Sequence, residues 1–96
     1  MVNNVMKQSV NRHMPHSLAG IARKYVNEDV EKIFEENKER LIKDLYKEMK
    51  GYFFEEERKS LKTTIKEMVY DDNTRKVMID IVNDMKSFDC LTILNE

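Results

Sequence analysis

The apolar positions between Leu18 and Phe53 form two stripes that point in different directions, and this constrains the fold more than any other feature of the chain. Ala22, Val26, Val30 and Phe34 recur at spacing four, flanked by Leu18, Ile21, Tyr25 and Ile33. Leu41, Leu45, Met49 and Phe53 form a second run, flanked by Ile42 and Tyr46. Spacing of this kind lines one face of an α-helix. Between the runs lies Glu35-Glu36-Asn37-Lys38-Glu39-Arg40, without an apolar residue. At about 100° per residue the second stripe is rotated from the first by roughly a third of a turn. Either the chain turns near Asn37, or one helix meets different neighbours along its length. Glu, Lys and Arg favour helix, so propensity predicts a continuous helix over 17–50. No a/d heptad survives four repeats, which argues against a left-handed coiled coil.

Punctuation along the chain sets the other boundaries. Pro15 disfavours helix at the residue before it, so a helix in 1–13 is expected to stop near Met14, with Ser17 as the next N-cap. Lys47, Lys50 and Gly51 suit a helix C-terminus. Tyr52-Phe53-Phe54 then reads as an aromatic corner, and Glu55-Glu56-Glu57 as a helix start, where the dipole favours acids. Leu61, Ile65, Met68 and Val69 predict a helix over 55–70. Asp71-Asp72-Asn73-Thr74 is a break with capping chemistry. Val77, Met78, Ile81, Val82 and Met85 predict a helix over 73–87. The expected class is all-α: a long helix with two shorter return helices, as a helical hairpin or three-helix bundle, and a short irregular C-terminal tail. The expected divisions are a basic, poorly ordered or marginally helical segment over 1–16, a helical domain over 17–88 and a tail over 89–96.

Composition narrows the class of protein. The 96 residues include one cysteine, two glycines and one proline, which excludes a disulfide scaffold and disfavours a turn-rich sheet fold. No apolar run approaches the roughly 18 residues of a membrane span. Net charge is −1, but the signs are segregated. Residues 1–27 hold Lys7, Arg12, Arg23 and Lys24 and no acid, whereas all 18 acids lie beyond them. Val2, Val5, Met6, Val10 and Met14 fall near one helical face. That outline is shared with mitochondrial presequences, although Arg12 is the sole arginine before Arg23. The lone thiol of Cys90 suits a reducing compartment, so a cytoplasmic or nuclear location is expected.

Few residues carry chemistry. His13 and His16 lack further ligands nearby, and a zinc site needs three or four. Asp71-Asp72-Asn73 opens like a calcium loop, but Arg75, Lys76 and Val82 stand where an acceptor, a glycine and a glutamate are required. Two glycines cannot build a phosphate loop, and Cys90 with a distant histidine makes no nucleophile–base–orienter set. No enzyme activity, metal or cofactor is expected.

Two function classes remain. The first is a non-catalytic helical protein–protein interaction module: a scaffold, an adaptor or a small inhibitor. Its contact candidates are Tyr25, Phe34, Leu41, Leu45, Met49, Tyr52, Phe53 and Phe54. If one straight helix presents both stripes, a single return arm cannot cover them. A homodimer, or else a hetero-complex, is then expected to cover the surplus. The alternative is a nucleic-acid-associated regulator using Arg12, Arg23, Lys24, Lys59, Lys62 and Lys66 on phosphates. The last three lie on one helical face, but no recognition-helix signature accompanies them.

Overall fold

A computed structural model describes the backbone of residues 4–94 and the side chains of residues 4–87. The chain is all-α and 89% helical, with five α-helices and no strand among the described residues. They are α1 (Asn4–Lys24), α2 (Val30–Glu36), α3 (Lys38–Met49), α4 (Arg58–Tyr70) and α5 (Asp72–Leu94). Two 3₁₀ turns, Lys50–Tyr52 and Glu55–Glu57, form the corner between α3 and α4. Helices α1, α3, α4 and α5 pack around one core, each against the next, and short α2 rests on α3 and α5. The molecule measures 44 × 25 × 18 Å.

The continuous helix over 17–50 does not form. The chain breaks after Lys24 and again at Asn37. Asp29 caps α2 by accepting from the Lys32 amide at 3.1 Å. Asn37 takes φ −133° and ψ 51°, outside the helical region, and carries the chain from α2 into α3. The physical reason is the rotation between the stripes. Once the chain turns, both stripes face the same interior: Phe34, Leu41, Leu45 and Met49 are all fully buried. Burying a large apolar side chain gives roughly 1.5–3 kcal/mol, far more than the few tenths per residue that helix propensity offers. Much of the surplus apolar surface that would have called for a covering subunit is therefore consumed internally.

The N-terminal segment also differs from expectation. Helix α1 runs through Pro15 rather than stopping near Met14. An interior proline costs about 3 kcal/mol. Against that, Met6, Val10, Met14, Leu18, Ile21 and Tyr25 make one buried stripe along the whole of α1, and its burial outweighs the penalty. Pro15 and Asn11, whose carbonyl loses its usual amide partner, both lie on the exposed side. Ser17 is not an N-cap; it is buried, and its hydroxyl donates to the His13 carbonyl at 3.1 Å. Val26, placed by periodicity on the first stripe, is exposed because it falls in the turn after α1.

The second half follows the sequence more closely. Asp71 caps α5: its carboxylate accepts from the Thr74 amide at 2.9 Å and the Thr74 hydroxyl at 2.7 Å. Helix α5 continues to Leu94, so the expected irregular tail is helical over 89–94. The side chains of that stretch, Cys90 included, and residues 1–3, 95 and 96 lie outside the described set.

Candidate functional site

Three surface regions and two internal networks carry the chemistry of this chain. The most apolar region is a groove of about 270 Å³ between α1 and α5, floored by α4. Met14, Pro15 and Leu18 line it from α1, Met68 from α4, and Val77, Met78 and Ile81 from α5, with Asn11 and Thr74 also in its walls. Its origin is local. Pro15 turns a bare ring toward solvent beside Met14, and Val77 stands 56% exposed at the opposite wall. Three of the lining residues are methionines, whose flexible, polarizable side chains adapt to varied partners.

The second region is the aromatic corner. His13 of α1 stacks on Tyr52 with ring centroids 4.5 Å apart and meets the edge of Phe53 at 5.6 Å. These contacts pin the corner to α1 and leave Tyr52 and Phe54 exposed. The third region comprises two polar clefts. One, near the start of α5, is lined by Lys7, Thr64, Glu67 and Asp71; the other, beside α2, by Glu28, Asp29, Lys32, Glu36 and Arg40. Their carboxylates are largely engaged: Asp71 with Thr74, Asp29 with the Lys32 amide, and Glu28 with Arg40 through two bonds of 2.9 and 2.8 Å. Among the described residues no group of three or more His, Cys, Asp or Glu side chains is arranged to hold a metal ion.

The first network centres on Asp44, a carboxylate of α3 that is 6% exposed. It accepts from the Tyr25 hydroxyl at 2.5 Å and from Lys24 at 2.8 Å, and Arg40 lies 3.8 Å away. The Arg40 guanidinium also sits over the Tyr25 ring, 4.9 Å from its centroid. Burial alone would push the Asp44 carboxyl up, but the bonds from Lys24 and Tyr25 hold it below the ordinary range. Burial, then the bond to Asp44, pushes the Tyr25 hydroxyl well above its ordinary value. The second network centres on Arg75 of α5, 7% exposed. It donates to Glu35 of α2 through two bonds of 3.0 Å, to the Val69 carbonyl at 3.0 Å and to Asp72 at 2.8 Å. The first network ties the end of α1 and the turn after it to α3, and the second ties the C-terminal end of α2 to α5.

The expected contact residues divide sharply. Tyr25, Phe34, Leu41, Leu45 and Met49 are fully buried in the chain's own core, so they present no surface to a partner. Phe53 packs against that core, and Tyr52 and Phe54 alone of the eight are exposed. The six basic candidates are all exposed. Lys24 is held on Asp44, and the Lys62 ammonium lies over the Tyr46 ring at 5.9 Å. Periodicity does not reveal the groove, because Pro15 reads as a helix end in the sequence and Val77 sits at the edge of the core stripe it shares with Met78 and Ile81.

Comparison with known proteins returns no match among family models, curated proteins or solved structures.

Proposed function

We propose that this protein is a non-catalytic helical interaction module that binds another protein through the groove between α1 and α5. The observation that carries this reading is the groove itself. Most of the large apolar side chains are closed into the core, with Leu18, Leu41, Leu45, Leu61 and Ile65 fully buried. The exposed ones outside the groove, Val26, Tyr52, Phe54 and Tyr70 among them, form no comparable cavity among the described residues. Against that background an open methionine-lined groove with Val77 and Pro15 at its walls is a recognisable contact surface. Tyr52 and Phe54 at the corner offer a smaller apolar contact.

The test is co-purification of the chain, at native expression level, from its own source cells beside a Val77→Arg variant. A stoichiometric protein, a second tagged copy included, that is retained by the wild type and lost from the variant supports the reading. Equal retention, or none, overturns it. The nucleic-acid alternative has less behind it. Lys24 is already engaged, and the Lys59/Lys62/Lys66 face belongs to α4, an element separate from the Arg12 and Arg23 positions of α1. Affinity for DNA that falls steeply with salt would revive it.

A further inference from the structure

We propose that the occupant of the groove is a second copy of this chain, related by a two-fold axis parallel to α1 and α5. This rests on the interaction reading above and names its partner. Helices α1 and α5 run parallel. Lys7, near the start of α1, shares a cleft with Asp71 and Thr74 at the start of α5. Lys86, far along α5, donates to the Glu28 carbonyl just beyond the end of α1 at 2.8 Å.

The two rims of the groove carry opposite charge. On α1 the groove side is marked by Asn11, Pro15 and Leu18. At helical spacing Gln8 and Ala19 come next toward solvent and Arg12 and Arg23 just beyond them, and α1 contains no acid. On α5 the groove side is marked by Thr74, Val77 and Ile81. The next strip toward solvent holds Asp80 and Asp84, with Lys76 one turn before them on the same row, so that rim is acidic in balance. Arg12, Arg23, Asp80 and Asp84 are all exposed, and none forms an ion pair with another described residue.

A copy turned about an axis parallel to the helices lays its α1 over the first molecule's α5. Basic rim then meets acidic rim twice, by symmetry, and Val77 and Pro15 of both copies are covered. An axis running across the helices would instead set α1 on α1 and α5 on α5, like charge on like. Exposed ion pairs contribute little individually, so the rims choose the orientation while the apolar groove supplies the attraction. A polyanion would meet Asp80 and Asp84 directly.

Analytical ultracentrifugation of the full chain, from micromolar to near-millimolar concentration at low salt, tests this. A reversible monomer–dimer equilibrium is expected, weakened about tenfold or more by Val77→Arg. The double variants Arg12→Glu/Arg23→Glu and Asp80→Lys/Asp84→Lys should each dimerise poorly alone, yet an equimolar mixture should recover a dimer. These are surface positions, and helical circular dichroism confirms that each variant is folded. A monomer at every concentration, or a dimer indifferent to these changes, or a mixture that stays monomeric, overturns the second copy. If a different protein is still captured from source cells in a Val77-dependent way, the interaction reading survives that failure.

Discussion

The Tyr25 hydroxyl donates to the Asp44 carboxylate at 2.5 Å, joining the residue just after α1 to the middle of α3. Both groups are buried, and Lys24 supplies the opposite charge at 2.8 Å. This pair anchors the start of the turn between α1 and α2, where helix propensity alone predicts continuous helix. Tyr25→Phe removes a hydrogen bond to a charged acceptor and should cost about 2 kcal/mol in urea-induced unfolding. It also alters the alkaline limb. Because the folded hydroxyl titrates above its ordinary value of 10.0, wild-type stability is fully present below that value and falls as pH rises past it. The variant should lack that fall.

At the acid end the sign is opposite. Asp44, Glu35, Glu28 and Asp71 all titrate below their ordinary values, through Lys24, Arg75, Arg40 and Thr74 respectively. A depressed carboxyl contributes stability above its unfolded pKa, which is lost as pH falls through the folded one. Stability should therefore hold down to about pH 4 and then decline. Thermal melts from pH 7 to pH 2 check this; in Asp44→Asn the decline should be shallower.

Arg75→Ala should cost about 2–3 kcal/mol, because the Val69 carbonyl loses its guanidinium donor and α2 its tie to α5. Glu35→Gln should cost less, since Arg75 keeps Asp72 and Val69. Chemical denaturation of the two variants side by side ranks them.

Asn37→Ala should be nearly neutral, within about 0.5 kcal/mol, although the chain turns there. Its side chain makes no capping bond; the backbone amide does, donating to the Ile33 carbonyl at 2.8 Å. Asn37→Pro removes that donor and should cost about 3 kcal/mol. Urea midpoints of the pair distinguish a turn held by the backbone from one held by the side chain.

Phe34→Ala should destabilise by about 3–5 kcal/mol, the range for emptying an aromatic site in a core. Phe54→Ala, at a position 72% exposed, should shift stability by less than about 0.5 kcal/mol. Similar losses at both sites in calorimetry would contradict the observed division between core and corner.

The all-α class, the corner after Lys50, the return to helical backbone at residue 55 (a 3₁₀ turn before α4 proper begins at Arg58) and the break at Asp71 were legible in the residues, because each depends on local chemistry: charge at a helix end, a capping carboxylate, the period of an apolar stripe. Asp29 could have been found the same way, as a capping residue followed by Glu31 in the first turn. What only the tertiary structure decided is where local preference loses. Helix propensity across Glu35 to Arg40 and the breaking tendency of Pro15 each point the wrong way, by amounts a packed core exceeds. The direction of a stripe is visible in sequence, but whether the chain turns to unite two stripes depends on contacts between distant segments. Arg75 with Glu35 and Tyr25 with Asp44 are such contacts. For the same reason five expected contact residues are interior and the groove lies elsewhere. A face is free only once every other face has found its neighbour.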